Sequence, residues 1–290
     1  MRDFATFILR SHLHAIGVAG FFGMVSLHVL PFAILSTAAL ALMVLRHGAW
    51  HGGVVMLGAG LPVMAAWLGS ELKPGLDYPL VFALWVPVFF AAIGMRRGLG
   101  QGVTLMMLTV YCLLCVLLMH LITGDVVAFW LNWLGRAIAA VPGARIQGFE
   151  RDGTLRLMNG LFAVLYLSGL ALSLWTGRWL QSLLYYPGGF GQEFRALRLP
   201  RPFLFGMVLT LGLARYWQYP LLLDWLMVLA ASYATAGLAL LHAVVARHGL
   251  NPHWLLPPYL ALLILPQQII PGLALLGVID SLVDVRRRAG

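Results

Sequence analysis

The chain has 290 residues, 61% of them hydrophobic and only 10% charged, with a formal charge of +9 from 19 Lys and Arg against 10 Asp and Glu. A soluble domain carries about 25% charged residues, so this composition excludes a water-facing globular protein, and no hydrophilic block is long enough to form a second domain. The basic residues stand one or two at a time between apolar runs, which is the spacing of topology signals and excludes a phosphate-tracking nucleic-acid surface.

The N-terminus places Arg2 and Arg10 before a long apolar run without a small-residue cleavage site, which reads as a retained first membrane segment. Residues 13–46 would make a helix about 50 Å long, more than a bilayer core. Pro31 splits the run just after His28, so two short helices meeting near His28 to Pro31 are expected. Six further runs suit a crossing, at roughly 50–69, 79–95, 100–122, 157–183, 203–222 and 224–246. Gly17, Gly20, Gly23, Gly48 and Gly52 offer small faces where helices can approach. Gly98 to Gly102 lacks the preceding strand and following Lys-Ser/Thr of a phosphate loop and reads as a helix-start turn. Cys112 and Cys115 share a helix face inside an apolar run and read as inert packing residues.

Within 124–154, Val126 to Val141 is amphipathic. Phe129, Trp130, Trp133, Leu134 and Ile138 form an apolar sector opposite Asn132 and Arg136, as in a helix lying in the headgroup region, and Pro142 ends it. Arg145 to Arg156, with Glu150, Arg151 and Asp152 around Gly153, reads as a solvated turn.

The stretch 186–202 combines Pro187 and a glycine-rich turn with Glu193, Arg195, Arg198 and Arg201, and Phe190 to Leu199 reads as a short helix at a membrane surface. A charged loop that fixes topology is the preferred reading, and a ligand site the alternative. Arg215 and Asp224 flank Tyr216 to Pro220 at the ends of consecutive spans. A salt bridge across a tight hairpin is the first expectation for them, and an anchor for an anionic ligand the second. The last apolar stretch, 254–285, is interrupted by Pro257, Pro258, Pro266 and Pro271 and holds Gln267 and Gln268, so a broken or re-entrant segment is expected. At its end Asp280 and Asp284 share a helix face and Asp284 can pair with Arg288. Either a pinned helix exit or a partner-facing or gating site fits.

Charge then decides the layout. With 13–46 as a hairpin, one side collects 13 of the 19 basic residues and the other 6. With a single crossing the split falls to 11 against 8. The hairpin places both termini and 186–202 in the cytoplasm and 124–154 in the periplasm. The expected fold is all-α: one integral membrane domain over 1–290, a polytopic helical bundle of about eight spans, a broken C-terminal segment and one interfacial helix, in a bacterial inner membrane.

No catalytic, metal-binding or cofactor-binding residue is assigned. His12, His14, His28, His120 and His242 show no pair at i, i+4 around a carboxylate, and each reads as a packing residue. There is no G-x-S-x-G and no Walker lysine, so neither hydrolase nor nucleotide chemistry has support. Membrane lipids are the expected surroundings, nucleic acid is not a partner, and a protein partner at the cytoplasmic face or an unspecified small-molecule ligand remains open.

Pro187 to Arg198 and the closing Gly277-x-x-Asp280…Asp284-x-Arg286 resemble the YybS-like predicted membrane proteins of bacteria over nearly the whole length of the chain. That family is distantly similar in helix layout to the substrate-binding S-components of energy-coupling-factor vitamin transporters and to the rod-shape protein MreD. The first likeness implies a small-molecule transport or substrate-binding component and no enzyme. The second implies a structural or interaction protein of the cell envelope, with a membrane enzyme as a third reading. A transporter should line a polar cavity with residues such as His28, Asn159, Arg215 and Gln267.

Overall fold

The computed structural model describes residues 1–70, 79–139, 153–217 and 219–283, in which all regular structure is helical. In chain order the helices are α1 (Arg2–Leu9), α2 (His12–Val25), α3 (Phe32–His47), α4 (Ala49–Gly69), α5 (Leu80–Arg96), α6 (Gln101–Thr123), α7 (Val126–Ala139), α8 (Thr154–Tyr185), α9 (Gly189–Arg195), α10 (Arg201–Trp217), α11 (Pro220–Arg247), α12 (Leu256–Ile264) and α13 (Pro266–Val283), with a 3₁₀ turn at Pro252–Leu255. They fall into two compact units: residues 1–99, 125–155 and 165–190 in the first, and 100–124, 156–164 and 191–290 in the second.

The chain is an all-α helical bundle protein. Five described helices, α4, α6, α8, α11 and α13, are long and apolar enough to cross a membrane, and α1 with α2, bent by 117° at their junction, could make a sixth. This is fewer than the eight or so expected. The difference lies in α3, α5 and α10, which have 16, 17 and 17 residues. At 1.5 Å per residue they reach only about 24–26 Å, short of a bilayer core of about 30 Å.

The first unit is built around α3. Ala33 and every residue from Ser36 to Leu45 are buried, so α3 is enclosed on all sides, as an apolar helix without a polar face must be. Its alanines let neighbours come close: a methyl at Gly177 of α8 would lie 2.8 Å from the Ala41 side chain and 2.9 Å from the Ala38 carbonyl oxygen. Ser36 donates to the Ala19 carbonyl at 2.6 Å and accepts from Trp85 Nε1 at 3.2 Å, which ties α2, α3 and α5. The break between α2 and α3 falls at 26–31, where Pro31 was expected to force it, and Phe22 stacks on Phe32 across it. Ser11 caps α2 by accepting from the His14 N–H. The expected amphipathic helix is α7. Trp130 is buried while Asn132 and Arg136 are exposed, matching the two faces read from the sequence, and Asp125 caps it by accepting from Ala128 N at 3.0 Å.

In the second unit α11 is the central helix. Thr109 and Ser232 share a hydrogen bond of 2.8 Å, and Trp225 Nε1 donates to the Leu113 carbonyl at 3.0 Å. Positions rise along α11 as they fall along α6, so the two helices run antiparallel. On another face, α11 and α13 cross through two glycines. A methyl on Gly237 would overlap the Leu273 carbonyl, and one on Gly277 would overlap that of Tyr233. The expected break in 254–285 is present, between α12 and α13 at Leu265. The glycine-rich stretch forms the short α9, which ends at Arg195 and not at Leu199.

Candidate functional site

Three helices of the second unit meet at one end around a single carboxylate. Asp224 lies one turn inside α11, which opens on Pro220, a residue that can begin a helix because the missing N–H is not needed there. The Asp224 residue is 2% exposed. His120, one turn before the end of α6, donates from Nε2 to Asp224 Oδ2 at 2.8 Å. Asn159, near the start of α8, donates from Nδ2 to the same oxygen at 2.7 Å and is itself 6% exposed. Gly160 makes this approach feasible, since a methyl there would lie 2.9 Å from Asp224 Oδ1 and 2.6 Å from the Met227 sulfur. A charged carboxylate among apolar helices is costly to desolvate, and two donors on one oxygen partly offset that cost.

Imidazole and carboxylate can pass a proton between them, and the Asn159 amide orients the carboxylate in either state. Among the described residues no group of three or more His, Cys, Asp or Glu is placed to hold a metal ion.

About 28 Å away along α6, by helix rise, a second polar cluster sits at the other end of the same unit. Gln101 Nε2, at the start of α6, donates to Glu193 Oε2 at 3.3 Å. Arg198 Nε lies 3.3 Å from Asp280 Oδ2, and the same guanidinium also donates to the Asp280 carbonyl. The Arg198 backbone crosses α6 at Gly102, where a methyl would overlap the Arg198 carbonyl. This clamp links α6, the segment after α9 and α13, and its contacts are those of a structural tie. Arg195 lies beside it, half-buried at the end of α9.

Of the residues singled out from sequence, Asp224 and Asn159 therefore come together, as do Glu193, Arg198 and Asp280 within the clamp. Arg215 does not meet Asp224. It is exposed, and the carboxylate faces His120 and Asn159 instead. Gln267 is exposed on α13 in the second unit, and His28 is exposed at the α2–α3 break in the first. The expected Asp284–Arg288 pair and the turn around Glu150 to Asp152 lie outside the described residues. His120, read from the sequence as a packing residue, is hydrogen-bonded as such a residue would be, but its partner Asp224 was not foreseen. The signal for the pair was a histidine one turn from a span end at the same depth as Asp224 in the antiparallel neighbour. Cys112 and Cys115 are free, as expected. No family model, curated protein or solved structure matches this chain.

Proposed function

We propose that the chain is a non-enzymatic bacterial inner-membrane component that binds and moves a small solute, coupled to a proton or cation exchanged at His120, Asp224 and Asn159. The observation that carries this reading is the buried Asp224 carboxylate, held by an imidazole and an amide between apolar helices where a leucine would pack at lower cost. An ionisable group kept in such a place is by default a functional one. The resemblance to S-components points to the same class, and the distribution of basic residues supports cytoplasmic termini with 124–154 on the periplasmic side.

A second reading, a scaffold of the cell envelope, is favoured by the Gly237–Gly277 crossing, which packs α11 and α13 too closely for a solute to pass there. Currents from proteoliposomes on a solid-supported membrane, challenged with amino acids, sugars, vitamins and inorganic ions at several pH values, separate the two. A carrier gives a pH-dependent current with one solute class that disappears in Asp224→Asn. Absence of current with every class, together with retrieval of the wild type and Asp224→Asn in the same protein complex, contradicts it.

A further inference from the structure

The first unit contains a cation-lined recess that the exchange site does not involve. It is formed where three helix segments end: Leu45 at the close of α3, Met95 and Arg96 at the close of α5, and Arg178 with Gln181 in the last turns of α8. Its volume is about 370 Å³ and its open lining is mostly polar, within the roughly 300–1,000 Å³ of small-ligand sites.

The recess is a built site. Arg96 donates from one terminal nitrogen to the Leu45 carbonyl at 2.8 Å and to that of Arg46, so the guanidinium is anchored on the end of α3 while its other N–H groups remain. Gln181 Nε2 donates to the same Leu45 carbonyl at 3.2 Å and its oxygen accepts from Arg178, which fixes the second guanidinium beside the first. Arg46 lies 4.1 Å above the Tyr185 ring. Neither Arg46 nor Arg96 meets a carboxylate among the described residues. Burial, then His51, Arg46, His12 and Arg96, hold the nearby His47 imidazole below its usual proton affinity.

We infer that Arg96, Arg178 and Gln181 form a binding site for a phosphate-bearing anion, which the two guanidinium groups grip as a pair. Guanidinium forks match phosphate oxygens two at a time. The anion is either the headgroup of an anionic phospholipid, since the site lies at helix ends, or a soluble phosphate.

Thermal melting of the full chain in a neutral detergent tests this. One arm adds inorganic phosphate at constant ionic strength, and the other adds phosphatidylglycerol against phosphatidylcholine. Because Arg96 also caps α3, the informative variants are Arg178→Gln, which removes one fork, and Gln181→Glu, which brings a negative charge to the same rim. A rise in melting temperature in either arm, with half-saturation shifted about tenfold or more in both variants, supports the site. A response to inorganic phosphate assigns a soluble ligand, and a response to phosphatidylglycerol alone assigns a lipid. No rise in either arm, or a rise that both variants keep at the same half-saturation, overturns the inference. The exchange site of the second unit takes no part in this measurement.

Discussion

Asp224 shares one carboxylate oxygen between His120 and Asn159. His120→Leu leaves a buried carboxylate with one amide donor and should cost about 3–5 kcal/mol of stability. Asp224→Asn keeps an acceptor for Asn159 in the same volume and should cost less than about 2 kcal/mol. Unfolding of the two variants in detergent by chemical denaturant gives this order, and equal losses would mean that the pair is not desolvated as the structure has it. At His47 the sign with pH can be worked out. Burial and the neighbouring His51, Arg46, His12 and Arg96 lower its folded-state proton affinity, so the unfolded chain binds the proton first as pH falls. Stability should therefore drop as pH falls through the unfolded value of about 6.5, and His47→Gln should flatten that drop in melting temperature. Asp224 and Asn159 stood out in the sequence because a carboxylate and an amide are rare in apolar runs. Their partner did not, because His120 is 104 positions from Asp224 and only the antiparallel packing of α6 on α11 aligns them. Arg215 was misleading for a related reason. Nine positions across a turn suggest a hairpin pair, yet Pro220 starts α11 early enough to turn Asp224 inward while Arg215 stays outside.

Among elements, the crossing of α11 and α13 makes the sharpest demand on sequence. Gly237→Ala or Gly277→Ala sets a methyl against a backbone carbonyl that cannot rotate away, so the helices must separate, at about 1–3 kcal/mol or more. Gly17→Ala and Gly206→Ala meet nothing within 4 Å and should be neutral or mildly stabilising. Melting temperatures of the four variants in one detergent check the contrast, and a uniform response would mean that helix approach does not decide it. Helix breaks at Pro31 and Pro266 were legible because proline acts locally on its own turn. Span count was less so. Apolar composition marks α3, α5 and α10 as membrane material, but their lengths depend on where the neighbouring turns close, and hydropathy does not register that.

For the whole molecule, the uneven distribution of basic residues predicts one orientation: both termini and 186–202 in the cytoplasm, 124–154 outside. Single cysteines at Gln147 and Gln192, in a chain with Cys112 and Cys115 replaced by serine, should react with a membrane-impermeant maleimide from opposite sides. Labelling of both from one side would contradict the layout. The measurement that bears most directly on the central claim is internal pH in proteoliposomes holding wild type or Asp224→Asn, read with a trapped dye as a transported solute is added outside. The account predicts a solute-driven pH change with the wild type and none with Asp224→Asn, while the variant keeps its melting temperature within a few degrees. An equal pH change in both would contradict it, because the carboxylate would then be a packing feature and proton movement would run elsewhere.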